Sequence, residues 1–124
     1  MTTLRLRYQK TTPYREAVFI AVQDDNKPEE APAFQKICEI CDTLKNAYPG
    51  LYLPVYSKEN FASIRFKNPN GGYPARKFYR DSVYEVEFVL KKKLVGEKVV
   101  LNAFLNRAKL ITKADTDEGE VLDI

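Results

Sequence analysis

The chain contains no histidine, no tryptophan, only two cysteines and no apolar run longer than the six residues Ala17–Val22. Each absence narrows the function. Without histidine the commonest general acid–base group and the commonest metal ligand are missing. Hydrolytic or metal chemistry is therefore not expected, nor any cofactor. The two cysteines form a Cys38-Glu39-Ile40-Cys41 pair. A structural zinc site needs four ligands, and no third cysteine or histidine exists to complete one. The longest apolar run falls far below the ~20 residues of a membrane helix. The start, Met1 to Tyr8, lacks the apolar core of a secretory signal, so an intracellular protein with reduced thiols is expected. No phosphate-binding glycine fingerprint occurs, because Asn68-Pro69-Asn70-Gly71-Gly72 fits neither a P-loop nor a dinucleotide motif. No nucleophile–base pair stands out either, so the chain is read as a non-enzyme.

What is present points elsewhere. The 124 residues suit one domain that buries roughly two-thirds of its unfolded surface. Net charge is only +3, yet residues 115–124 carry five acids and no base. Residues 1–114 then hold 20 basic against 12 acidic side chains. The division is a basic domain, 1–114, and an acidic tail, 115–124. The tail lacks aromatic residues and is expected to be disordered. A basic body with an acidic tail points to nucleic acid or a membrane surface as partner, and nucleic acid is the partner expected here, with no membrane.

Periodicity gives a mainly β (α+β) chain. Strands are predicted at 4–8, 15–23, 61–67, 83–90, 98–105 and 107–112, with a short extended piece at 51–56. One helix is predicted at about 32–48, because Phe34, Ile37, Cys38, Cys41, Leu44 and Tyr48 fall on one stripe before Pro49-Gly50. Short strands and one helix suit a small antiparallel barrel of five to six strands, of the OB type.

Candidate site residues follow from the pairing of cations with rings. Lys58 to Arg80 holds six bases against the single acid Glu59. Arg65, Lys67, Arg76, Lys77 and Arg80 are read as phosphate contacts, and Tyr73, Phe78 and Tyr79 as stacking faces for unpaired bases. Phe66 shares a strand face with Ala62 and Ile64 and is assigned to the core. Arg5 and Arg7 share a strand face and are added to the phosphate set. Lys91 and Lys92 beside a turn, and Arg107 and Lys109 on a late strand, are further candidates. Phe104 suits either core or stacking. In the tail, Asp117, Glu118, Glu120, Leu122, Asp123 and Ile124 are candidates for docking a protein partner.

The stretch Tyr84-Glu85-Val86-Glu87-Phe88, the lysine-rich turn, Val99–Leu105 and Ala108–Ile111 resembles the C-terminal barrel half of phage and viral single-stranded DNA-binding proteins with one OB fold. The acidic, apolar-ended tail is similar to tails of bacterial and T7-type phage single-stranded DNA-binding proteins, although it ends in Ile124 where those end in Phe. The resemblance covers about residues 60–124. It implies binding of single-stranded DNA with little sequence preference in viral or phage-type replication or recombination. It also implies a tail that shields the DNA groove and recruits replication or recombination proteins. The location would be the host cytoplasm for a phage, or the nucleus for a eukaryotic virus. Two alternatives stay open: a protein-interaction module such as a virus-encoded adaptor or inhibitor, and an RNA-binding OB module.

Overall fold

The computed structural model describes residues 2–67 and 78–113. Six strands and one long helix follow in the order β1 (Thr2–Thr11), β2 (Ala17–Val22), α1 (Ala31–Ala47), β3 (Val55–Ser57), β4 (Phe61–Lys67), β5 (Val83–Val95) and β6 (Lys98–Thr112). A single 3-10 turn, Pro28–Glu30, leads into α1. The helix buries Ala33, Phe34, Ile37 and Cys41 and packs on β2, β3 and β4. It stops where the Tyr48 amide bonds the Leu44 carbonyl at 2.8 Å, followed by Pro49 and by Gly50 at φ +80. That backbone angle favours glycine.

Five of the strands close a barrel: β1 pairs with β2 and β5, β2 with β4, β4 with β6, and β6 with β5. β3 adds to the edge of β4. The barrel is mainly β and OB-like, with its helix between the second and third barrel strands. One seam departs from the antiparallel expectation. β4 and β6 run parallel, through Phe66↔Ala103 and Lys67↔Phe104. Parity requires such a seam, because an odd number of strands in a ring cannot alternate direction all the way round. The predicted pair of strands 98–105 and 107–112 is one strand. Glu87 pairs with Arg107 and Phe88 with Leu105, so Asn106 is a bulge that moves the inward positions from Ala103 to Ala108.

Phe19 on β2 is the centre of the core, with no exposed surface. Its ring meets those of Tyr8, Phe66, Phe78 and Tyr84 at 5.5, 5.5, 5.3 and 5.9 Å, all edge-on. Edge-to-face contacts add about 0.5–1.5 kcal/mol beyond burial. Near the helix start, the 7 %-exposed Glu30 accepts hydrogen bonds from Arg7 Nε at 3.1 Å and from the Val22 amide at 3.0 Å. This pins the helix entry to β1 and β2. Because Phe19 joins three strands and the segment before β5, Phe19→Ala is expected to lower the unfolding free energy by about 3–5 kcal/mol in urea titrations. A loss under 1 kcal/mol would contradict that central role.

Candidate nucleic-acid interface

β4 is the strand on which the surface turns. Its inward residues Ala62, Ile64 and Phe66 are buried, and Phe61, Ser63, Arg65 and Lys67 face out. On one edge it is shared: β3 pairs with residues 62–64 and β6 only with 66–67. At the junction lies a cleft of about 550 Å³ with Arg65 and Lys67 among its lining residues. Leu51, Tyr52 and Pro54 from the α1–β3 connection line it, as do Val99 to Asn102 of β6, and Tyr14 and Glu16 from the β1–β2 loop.

Local rules explain how the loops present their rings. In the β1–β2 loop the Arg15 amide bonds the Thr12 carbonyl at 2.9 Å, a tight turn with Pro13 at its second position. The Glu16 amide bonds the Thr12 hydroxyl at 3.2 Å, and Arg15 takes φ +66. Tyr14 stands at the tip, 84 % exposed. Tyr52 is 76 % exposed. The Arg65 guanidinium lies 4.4 Å from its ring centroid and donates to the Tyr52 hydroxyl and the Leu53 carbonyl. A guanidinium is suited to stack and donate at once. The Tyr52 ring is thus held beside the cleft with its Arg65 donors already engaged. Farther along, Phe104 is half-buried on the outer face of β6, opposite Lys67, with Lys91 Nζ at 5.6 Å from its ring.

Of the residues read from the sequence, Arg65 and Lys67 reach the cleft and Lys91 lies beside Phe104. Others are placed differently. Phe78 is 8 % exposed and packs against Tyr8, Phe19 and Tyr84, so it is a core residue rather than a stacking face. Arg7 is half-buried and its guanidinium is engaged by Glu30, which corrects its assignment to phosphate. Arg5 and Lys109 flank Glu85 in register, and Arg107 lies opposite Glu87. These three cations share the outer face of β1, β5 and β6 with two carboxylates and do not line the cleft. Lys92 pairs with Leu101 and projects from the face opposite Lys91. Tyr79 is 39 % exposed under Lys113 Nζ at 4.4 Å, its amide donating to the Tyr84 hydroxyl. Arg80 is exposed in the turn before β5. Tyr73, Arg76 and Lys77, and the tail residues Asp117, Glu118, Glu120, Leu122, Asp123 and Ile124, lie outside the described residues.

Tyr14 and Tyr52 escaped the sequence reading. Their signal is position: each sits in a connection beside prolines, after Pro13 and between Pro49 and Pro54, where no strand or helix period can turn it inward. Among the described residues no cluster of acidic residues and cysteines could hold a metal ion, and no helix is long and apolar enough to cross a membrane. In comparisons with known proteins, no family model, curated protein or solved structure matches the chain.

The Cys38-Cys41 pair sits on the buried side of α1, with Cys41 fully enclosed and Cys38 partly so. Burial pushes the Cys38 thiol above its ordinary range, only partly offset by a hydrogen bond with Ser57. A raised pKa means less thiolate at neutral pH. Cys38 is therefore expected to alkylate with iodoacetamide more slowly than free cysteine at pH 7–8 and to gain rate at higher pH. Mass spectrometry of timed samples measures this, and a rate above that of free cysteine would refute it.

Proposed function

We propose that this chain binds single-stranded DNA, without catalysis and with little sequence preference, in replication or recombination of a virus or phage. The observation that carries the reading is the Arg65-clamped Tyr52 ring beside Lys67 in the β4–β6 cleft. In OB barrels the second and third strands and the loops nearby form the face for oligonucleotides. The corresponding strands here are β2 and β4, and the β1–β2 loop overhangs the cleft.

The chemistry is that of an electrostatic groove with stacking platforms. Bases stack on Tyr52 and Tyr14, whose flat faces accept any base. Lys67 attracts phosphate and releases counterions. Glu16, on the loop side of the cleft, repels the backbone and favours its passage on the Lys67 side. Duplex DNA offers no free base faces to these rings. Such a protein would act inside the cell, and its acidic tail would compete with DNA for the basic surface.

The expected result is tight binding to oligo-dT, weak binding to duplex, tyrosine fluorescence quenching, and a steep loss of affinity with salt. A matched RNA strand in competition decides the sugar preference. Tyr52→Ala should cost roughly 1–3 kcal/mol of binding, the value of one base–ring stack. Arg65→Lys should cost nearly as much, because an ammonium cannot hold the ring in the same way. Absence of single-strand binding at low salt would reject the proposal.

Deleting residues 115–124 is expected to raise DNA affinity at low salt, by removing a competing polyanion. Equal affinity of full-length and shortened chains would end the shielding idea alone.

A further inference from the structure

β5 and β6 outrun the barrel. β1 pairs with β5 only as far as Thr2↔Phe88, and β4 reaches β6 only at Ala103 and Phe104. Beyond those points, among the described residues, the two strands pair only with each other. They form an arm closed by Val95↔Lys98 around Gly96 and Glu97. Gly96 takes φ +65 and Glu97 does not share the positive angle, the pattern of a two-residue hairpin turn with glycine first. Lys91 to Lys98 are all exposed.

The register sorts the arm's lysines by face. Residues paired across an antiparallel ladder point to the same side. Lys93 pairs with Val100 and Lys91 with Asn102, while Val89 pairs with Phe104. Lys98, two residues before Val100, falls on that side too. Phe104 in turn lies opposite Lys67 of β4. One face therefore runs unbroken from Lys67 through Phe104 to Lys91, Lys93 and Lys98. Lys92 and Leu94 occupy the reverse face, opposite Leu101 and Val99. The cations Arg5, Arg107 and Lys109 each have a carboxylate across the ladder, but the pairs of the arm from Val89↔Phe104 to Val95↔Lys98 hold none.

We propose that the Lys91–Lys93–Lys98 face of the arm continues the cleft, carrying the phosphates of the same DNA strand past Phe104, which stacks one further base. This inference rests on the single-stranded DNA reading and adds a path to it. Lysine also blunts free strand edges, but that role is indifferent to which face a lysine occupies. Two features support a DNA path: three cations on one face, and their continuity with Lys67.

The test is a salt titration of oligo-dT binding by the full chain and its variants, with thermal midpoints confirming folding. Each lost phosphate contact on a single strand lowers the slope of log affinity against log salt by about 0.7. Lys91→Ala/Lys93→Ala together should therefore flatten the slope by about 1.4. Lys92→Ala should leave it as in the parent. Phe104→Ala should weaken binding roughly 5- to 150-fold with the slope kept, as loss of a stack rather than a charge requires. The arm proposal is overturned if Lys92→Ala matches the other lysine variants, or if Lys91→Ala/Lys93→Ala keeps the parent slope. Should the parent bind and respond to Tyr52→Ala while those outcomes occur, only the arm is wrong. Failure of the parent itself to bind removes the broader reading.

Discussion

Closing a ring from five strands is the constraint from which the rest of this molecule follows. Hydrophobic burial drives the closure, with Phe19 drawing in rings from β1, β4, β5 and the segment before β5. The odd count then imposes one parallel seam, which among the described residues comprises two residue pairs between β4 and β6. Because β6 leaves β4 so soon, β3 takes the remaining edge, and the cleft lies between them. The same early departure frees the far ends of β5 and β6 to extend as an arm. The candidate surface is thus a by-product of how the barrel closes.

Electrostatics divides the cations into two populations. Arg7 is paired with Glu30, which is almost fully enclosed and also accepts from the Val22 amide. Burying that carboxylate without partners would be costly, so this pair belongs to the fold. Arg5, Arg107 and Lys109 stand across from Glu85 and Glu87, where cross-strand attraction contributes a few tenths of a kcal/mol. Their field is largely cancelled at a distance. Lys67, Lys91 and Lys93 have no such counterweight in the ladder. Charge pairing is thus concentrated where β1 and β6 flank Glu85 and Glu87, and the uncompensated lysines of the ladder lie at the β4–β6 seam and along the arm. Charge count alone treats all these residues alike, and register separates them.

That distinction marks what the sequence could and could not convey. The helix, β4 and the inward rows of Val86 and Phe88 were legible because their periods are uninterrupted. The break at Asn106 was legible as a change of pattern, but a bulge and a loop produce the same change in one dimension. The parallel seam was invisible because it depends on strand order. For the site, Arg65 and Lys67 could be read from alternation, since the opposite face was plainly apolar. Phe78 could not: it lies outside any strand, and it is the rings of Tyr8, Phe19 and Tyr84 closing over it that make it core. Arg7 was misassigned because its partner Glu30 is 23 residues away across a loop.

The exposed tyrosines supply the last step. Tyr14 and Tyr52 leave most of their area in water, so the core gains little from them. Scattered exposed apolar residues are ordinary, but Tyr52 is not merely left outside. Arg65 stacks on its ring and ties its hydroxyl and the neighbouring Leu53 carbonyl to β4. Ordering two long side chains at a surface costs rotamer entropy, about 1.5–2 kcal/mol for an arginine alone. Cation–π attraction at an exposed site returns only about 0.5–1 kcal/mol. On stability alone the arrangement is close to neutral. Its effect falls on a ligand, because a ring already fixed in place need not be ordered when a base stacks on it. Preorganisation of this kind suits the partner proposed above, an unpaired nucleic acid strand, whose bases have flat faces to stack.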